Sequence, residues 1–163
     1  MKNRLSAIVL ACAALPALSH AQAIVRHKIP NSDFPIAQAV TLPAGTTIHF
    51  ISGQVPPQVD KNADPNSLAA FGDTKAQTVG VLTKIQDILK GMGLSMGDVV
   101  KMQVFLVGDP AKGGKADVAG FMAGYTQFFG GAQPNLPARA VVQVAALSNP
   151  GWLVEIEVVA AKK

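Results

Sequence analysis

The chain has 163 residues and a mass of 16.9 kDa, and 49% of its side chains are hydrophobic, so we expect one globular domain with a sizeable core. Only 15% of the residues are charged, which excludes a disordered, self-repelling chain, and the formal net charge of +4 is too small to indicate a nucleic-acid-binding protein. The single cysteine, Cys12, lies near the N-terminus, so the rest of the chain can form no disulfide and no cysteine-based metal site.

Residues 1–21 have the pattern of a secretory signal peptide. A positive end with Lys2 and Arg4 precedes a short apolar stretch and then small residues that fit a cleavage site. A buried N-terminal helix and a lipoprotein leader are the alternatives. No later stretch is long and apolar enough to span a membrane.

Cleavage is expected near Ala21/Gln22. It would leave residues 22–163 as a single domain that works in the periplasm or outside the cell. Without the two basic residues of the leader, the mature chain carries twelve basic and ten acidic side chains, and this near-neutral balance gives no support for nucleic-acid binding.

The N-terminal half of the mature chain predicts two strands and a helix. The strands, Ala37–Leu42 and Thr47–Ile51, should pair as a hairpin across a tight turn. From Asp73, apolar residues recur at three- and four-residue steps, which predicts an amphipathic helix. Asp73 or Thr74 should cap its N-terminus, and Gly91 and Gly93 should end it. A strand at Val99–Val107 should lie parallel to and beside Thr47–Ile51, because a helix connects the two.

The C-terminal half predicts a helix over Lys115–Phe129 and strands at Ala138–Leu147 and Trp152–Ala160. The resulting order, ββαβαββ, indicates an α+β fold with a single mixed sheet and two helices on one face. Because the strand Ala138–Leu147 carries valine or alanine on both faces, apart from Gln143, we expect self-association to bury the face without helices.

Arg139 and Glu155 are the strongest candidates for chemistry. Arg139 follows a proline-stiffened loop and enters a mostly apolar strand, where its planar guanidinium would suit a bidentate contact with a carboxylate. Glu155 could orient or deprotonate water, and Glu157 shares its face of the last strand. The alternatives are a structural bridge from Arg139 to either glutamate and, for the glutamates, an ordinary solvated face.

Other reactive side chains give weaker signals. His27 and His49 have no third partner at metal-like spacing, so no metal site is predicted. Ser52 has no Gly-x-Ser-x-Gly setting and no candidate base in sequence, so a nucleophilic serine is not predicted either.

An ordered set of motifs over residues 32–161 resembles the RidA/YjgF family. Each motif is weak alone and the set is specific: Ile51-Ser-Gly-Gln-Val55, Gly97-Asp-Val-Val-Lys101, Tyr125-x-x-Phe-Phe129, Pro137-Ala-Arg139 and Val154-Glu-Ile-Glu-Val158. The resemblance implies a chorismate-mutase-like fold assembled as a homotrimer, with sites in clefts between subunits. It also implies cofactor-independent hydrolysis of 2-imino acids, formed from amino acids by other enzymes, to 2-oxo acids and ammonia.

The same resemblance assigns roles to individual residues. The carboxylate-binding arginine of the family falls on Arg139, its water-positioning glutamate on Glu155, and its cleft-lining serine on Ser52, with Gly53 beside it. A tyrosine found in many deaminating members is replaced by Ile36, so the polarity of the cleft or the choice of substrate should differ.

Three functions stay open at this point. The first is an exported imine deaminase. The second is a non-catalytic trimeric module that binds a small carboxylate in the same cleft. The third is a chaperone-like or ribonuclease role, and the near-neutral mature charge argues against RNA.

Overall fold

The structure, a computed structural model, describes residues 23–131 and 133–163, and these form one six-stranded mixed sheet in the order β1-β2-β5-β4-β6-β3 with two α-helices. The predicted signal peptide lies outside the described residues. The elements are β1 (Val25–Lys28), β2 (Ala37–Thr41), β3 (Thr47–Gln54), α1 (Thr74–Gly91), β4 (Val99–Val107), α2 (Val118–Tyr125), β5 (Ala138–Val144) and β6 (Val154–Lys162).

Both helices lie on one face of the sheet, as predicted for an α+β fold. The core fills the space between the helices and the sheet. Residues of β4 and β6 alternate between this covered face and the open face. The covered face carries the fully buried side chains that pack against the helices, among them Met102, Val104, Leu106, Val154, Ile156 and Val158.

The N-terminal capping signal places α1 where the sequence predicts it. The Asp73 carboxylate accepts a hydrogen bond from the backbone N–H of Ala76 at 2.8 Å, and the helix ends at Gly91. Helix α2 is shorter than the predicted Lys115–Phe129 at both ends: it begins after Asp117, whose carboxylate caps it by accepting a hydrogen bond from the N–H of Gly120 at 3.0 Å, and it ends at Tyr125.

Two predicted strand pairings are wrong. Strands β2 and β3 do not form a hairpin: β2 pairs with β1 and β5, whereas β3 lies at the far edge beside β6. Strand β6 also separates β3 from β4, although both run antiparallel to β6 and therefore parallel to each other. The physical reason is that Ile51 is buried beneath α1, so β3 must join the part of the sheet that α1 covers.

The open face carries exposed apolar side chains. Phe50 is 82% exposed, and Ile48 and Val142 are 46% and 42% exposed. They belong to the face without helices, because Ile48 and Phe50 alternate with the buried Ile51 and Val142 follows Val141, which packs against the core. The described part of the chain contains no helix that is long and apolar enough to cross a membrane.

Candidate functional site

Strand β5 places Arg139 on the covered face of the sheet, beneath helix α2. Its guanidinium carbon lies 4.2 Å from the ring centroid of Tyr125, 5.1 Å from that of Phe121 and 5.5 Å from that of Phe34. Phe121 and Tyr125 face it together because they are four residues apart on α2. The cation is therefore held by the faces of aromatic rings.

The hydrogen bonds of Arg139 are incomplete. Its Nη2 donates to the sulfur of Met122 at 3.3 Å, and its Nη1 is buried without a hydrogen-bond partner. The alternative of a structural bridge to Glu155 or Glu157 is wrong for the described chain, because both glutamates are on the open face. A buried N–H without a partner is costly, and an incoming anion would satisfy it.

The electrostatics of this pocket leave the positive charge uncompensated. Burial lowers the pKa of Arg139 from its ordinary value, but an arginine remains protonated in the physiological range. Burial raises the pKa of Tyr125 to about 12, with the Arg139 charge opposing the shift, so the phenol is neutral. The Tyr125 hydroxyl donates to the carbonyl of Pro35 at 2.7 Å and so ties α2 to the segment that carries Phe34.

Ser52, Gly53 and Glu155 lie together elsewhere in the molecule. A bulge in β3 between Ile51 and Gln54 holds Ser52 and Gly53, and the Gln54 side chain donates to the Ser52 carbonyl at 2.9 Å. A Cβ atom at position 53 would overlap the carboxylate of Glu155, so glycine allows this carboxylate to lie against the backbone. The structure thus brings together three of the four residues predicted for the site.

The fourth, Arg139, is remote from that cluster within one chain. Arg139 pairs with Met102 of β4 and Glu155 with Phe105, and β4 lies between β5 and β6. From strand spacing and rise, their Cα atoms are about 14 Å apart, and their side chains leave opposite faces of the sheet. One chain alone cannot place both groups on one small molecule.

Two cavities extend these clusters. Strands β2 and β5 pair only at Ala37 and Ala138, and beyond this pair a cavity of about 500 Å³ reaches Arg139 and Ile36. A second cavity of about 190 Å³ on the open face is lined by Ser52, Glu157, Gln103 and Lys101. Lys101 lines both cavities.

Sequence reasoning did not predict several residues of these clusters, namely Phe34, Phe121, Met122, Tyr125 and Lys101. The α2 side chains recur at helical spacing, which predicts a core stripe and hides their contact with Arg139. Lys101 belongs to a recognised motif, but nothing in its spacing indicates that it lies between two cavities.

Histidine and acidic side chains form no metal-binding group in the described ranges: no three His, Cys, Asp or Glu residues lie close enough together. His27, one of the two histidines considered above, contacts the hydroxyl of Thr41 through its Nε2 at 2.9 Å.

Comparison with known proteins gives consistent results. The family model described as Endoribonuclease L-PSP matches residues 29–162. A RutC family protein of Pyrococcus horikoshii is 34% identical over 145 residues, covering 87% of this chain and 98% of the relative. The 2-iminobutanoate/2-iminopropanoate deaminase of Salmonella typhimurium is 31% identical over 140 residues, covering 86% and 97%.

A solved structure shares the fold over nearly the same length. The crystal structure of Escherichia coli TdcF with bound serine superposes with a TM-score of 0.56 at 30% identity, covering 87% of this chain and 99% of that one. With a family model that spans almost all of the described residues and with relatives above 30% identity, the chain belongs to the Endoribonuclease L-PSP family, which is the RidA/YjgF family.

Proposed function

We propose that this protein hydrolyses 2-imino acids to 2-oxo acids and ammonia without a cofactor. The observation that carries the proposal is the Arg139 pocket, in which a buried cation has one unpartnered N–H and no neutralising carboxylate among the described residues. A 2-imino acid carries a carboxylate that fits a guanidinium. The named activity of the Salmonella relative, and the serine bound to TdcF, support a small carboxylate substrate.

In the proposed reaction, Arg139 binds the substrate carboxylate and so fixes the adjacent imine carbon. Glu155 holds a water molecule and accepts its proton as the oxygen attacks that carbon. Glu155 passes this proton to the imine nitrogen, which gives a neutral carbinolamine. The carbinolamine then collapses: its hydroxyl proton passes through Glu155 to the nitrogen, the carbonyl forms as the carbon–nitrogen bond breaks, and a 2-oxo acid and ammonia leave. Ser52 lines the same cleft, and Gly53 leaves room for the Glu155 carboxylate.

The site requires two subunits. The carboxylate and the imine carbon of the substrate are directly bonded, whereas Arg139 and Glu155 of one chain point to opposite faces of the sheet. We therefore propose that Arg139 of one copy and the Ser52–Gly53–Glu155 cluster of another meet in a homotrimer. The exposed apolar side chains on the open face support such an assembly.

A non-catalytic binding module for a small carboxylate is the second candidate, and Ile36 favours it. This apolar side chain lines the cavity beside Arg139, and a hydrocarbon surface there supplies no group to a hydrolytic reaction. The two candidates differ in one respect: both bind a carboxylate at Arg139, but only the deaminase releases ammonia from an imine.

The decisive experiment follows the decay of imines generated enzymatically from a panel of amino acids, with and without the protein. We expect the protein to accelerate their loss, Arg139→Lys to reduce the rate strongly, and Arg139→Ala to abolish it. Losing such a charged contact costs about 2–5 kcal/mol, or roughly thirty- to several-thousand-fold. A variant that melts normally and turns over imines at the parent rate would remove Arg139 from the mechanism.

A further inference from the structure

Met122 accepts a hydrogen bond from the guanidinium of Arg139 through its thioether sulfur. The two residues come from different elements, α2 and β5, and the Nη2–Sδ distance is 3.3 Å. Met122 is half-buried, and the aromatic rings contact the guanidinium through their faces. Met122 is thus placed to fix the rotation of the guanidinium within its plane.

A thioether is an unusual choice for this position. Sulfur is a weak acceptor and carries no charge, whereas a carboxylate in the same place would bind the guanidinium bidentately and neutralise it. The surrounding Phe34, Phe121 and Tyr125 are also neutral, the phenol because of its raised pKa. Every described contact of the guanidinium therefore orients the cation and none neutralises it.

We infer that Met122 is a positioning residue for ligand binding: its thioether fixes the Arg139 guanidinium in the orientation in which the buried, unpartnered Nη1 can pair with a carboxylate. The inference rests on the proposed carboxylate site at Arg139, but it does not depend on catalysis. If the inference holds, the affinity for a carboxylate depends on how strongly residue 122 accepts a hydrogen bond and on whether residue 122 is charged.

The test compares three substitutions of Met122 by calorimetric titration with 2-oxobutanoate, a stable 2-oxo acid. Met122→Leu keeps the volume but removes the acceptor and should weaken binding roughly tenfold. Met122→Gln supplies a neutral acceptor and should bind within about threefold of the parent. Met122→Glu supplies a charged acceptor and should weaken binding more than about a hundredfold, with affinity partly restored at acidic pH as the glutamate is protonated.

Met92→Leu is the matched control, because Met92 is 46% exposed beyond the end of α1 and away from Arg139. It should leave affinity unchanged. If Met122→Leu lowers the melting temperature, the Gln and Glu variants remain decisive because they match in shape and differ in charge. Equal affinity in these two, or parent-like affinity in a stable Leu variant, would overturn the inference.

Imine turnover is measured on the same variants and separates this inference from the proposed function. Binding of 2-oxobutanoate with the expected order of variants, but without imine hydrolysis by the parent, would refute the deaminase and leave the role of Met122 intact. Failure of the parent protein to bind 2-oxobutanoate at millimolar concentration would overturn the role of Met122 directly.

Discussion

Tyr125 is the one tyrosine in the chain, so its ionisation can be observed directly. Its ring is fully buried beneath the Arg139 guanidinium, and burial raises the pKa of its phenol to about 12. We predict that the tyrosinate absorbance of the folded protein has its midpoint near that value, and near the ordinary value of about 10 in denaturant. A folded-state midpoint near 10 would contradict the described pocket.

The same shift predicts how stability depends on pH. Because the unfolded chain loses the phenol proton first, this contribution to stability is fully present below pH 10 and is lost as the pH rises through 12, by about 3 kcal/mol in total. Tyr125→Phe should remove this part of the pH dependence. The measurement is the free energy of unfolding of both proteins, obtained with denaturant between pH 10 and pH 12. If this free energy falls equally steeply with pH in the parent and in Tyr125→Phe, the prediction is refuted.

Gly53 should control the position of Glu155. A Cβ at residue 53 would overlap the Glu155 carboxylate, which is the flexible end of a side chain and can move aside. We therefore predict that Gly53→Ala melts within a few degrees of the parent but loses imine hydrolysis by about tenfold or more, because the water-positioning group is displaced. A fully active Gly53→Ala protein would show that Glu155 need not lie against the backbone.

At the level of elements, the contact between the two helices determines where the walls of the Arg139 pocket lie. A Cβ at Gly124 would come within 2.8 Å of the Thr78 side chain and 3.1 Å of the Lys75 carbonyl, so α2 packs closely on α1. Gly124→Ala should push α2 away, destabilise the protein by about 1–3 kcal/mol and weaken binding of 2-oxobutanoate. Thermal melts and titrations would test both effects.

Gly91→Ala is the matched control for this substitution. Gly91 is also helical, but its added Cβ would meet nothing within 4 Å. Alanine there should be neutral or stabilise the helix by about 0.5–1 kcal/mol. Equal melting temperatures for the two alanine variants would contradict close packing of α2 on α1 at Gly124.

The elements that the sequence predicts correctly are those with local signals. Helix α1 begins after Asp73, one of the two predicted N-caps, and ends at Gly91, the first of the two glycines predicted to stop it, because capping and helical periodicity act within a few residues. Strand β1, Val25–Lys28, was not predicted, since its four residues show no apolar alternation. The order of strands depends on packing between distant segments, which is why the position of β3 beside β6 could not be derived from periodicity.

The same limit applies to the candidate site. Resemblance to a family indicated the candidate site residues Arg139, Glu155, Ser52 and Gly53. Alternation along a strand shows only which residues of that same strand share a face. Whether Arg139 and Glu155 lie on the same face of the sheet depends on the pairing of β5 and β6 with β4. The aromatic rings and Met122 around Arg139 likewise depend on how α2 lies over β5, a contact between distant segments.

At the level of the whole molecule, export is a separate prediction. If residues 1–21 are a signal peptide, protein recovered from the periplasm or the medium should begin at or near Gln22. N-terminal sequencing of the protein produced in its own host tests this. An intact Met1 in the folded protein would refute removal of a leader.

Assembly gives the most direct test of the central claim, that Arg139 and Glu155 act from different subunits on one imine. Arg139→Ala and Glu155→Gln should each be inactive as pure trimers. When the two are co-expressed in equal amounts, each mixed trimer can pair an intact Arg139 with an intact Glu155 of its neighbour, and random assembly predicts about one quarter of the parent activity.

The measurement is the rate of imine hydrolysis by the purified, co-expressed protein. The control is a mixture of the two separately purified variants, kept under conditions in which their trimers do not exchange subunits. Activity near one quarter of the parent, absent from the control, is the result that the proposed two-subunit site predicts. No gain of activity in a mixture whose trimers are shown by mass to contain both variants would contradict it.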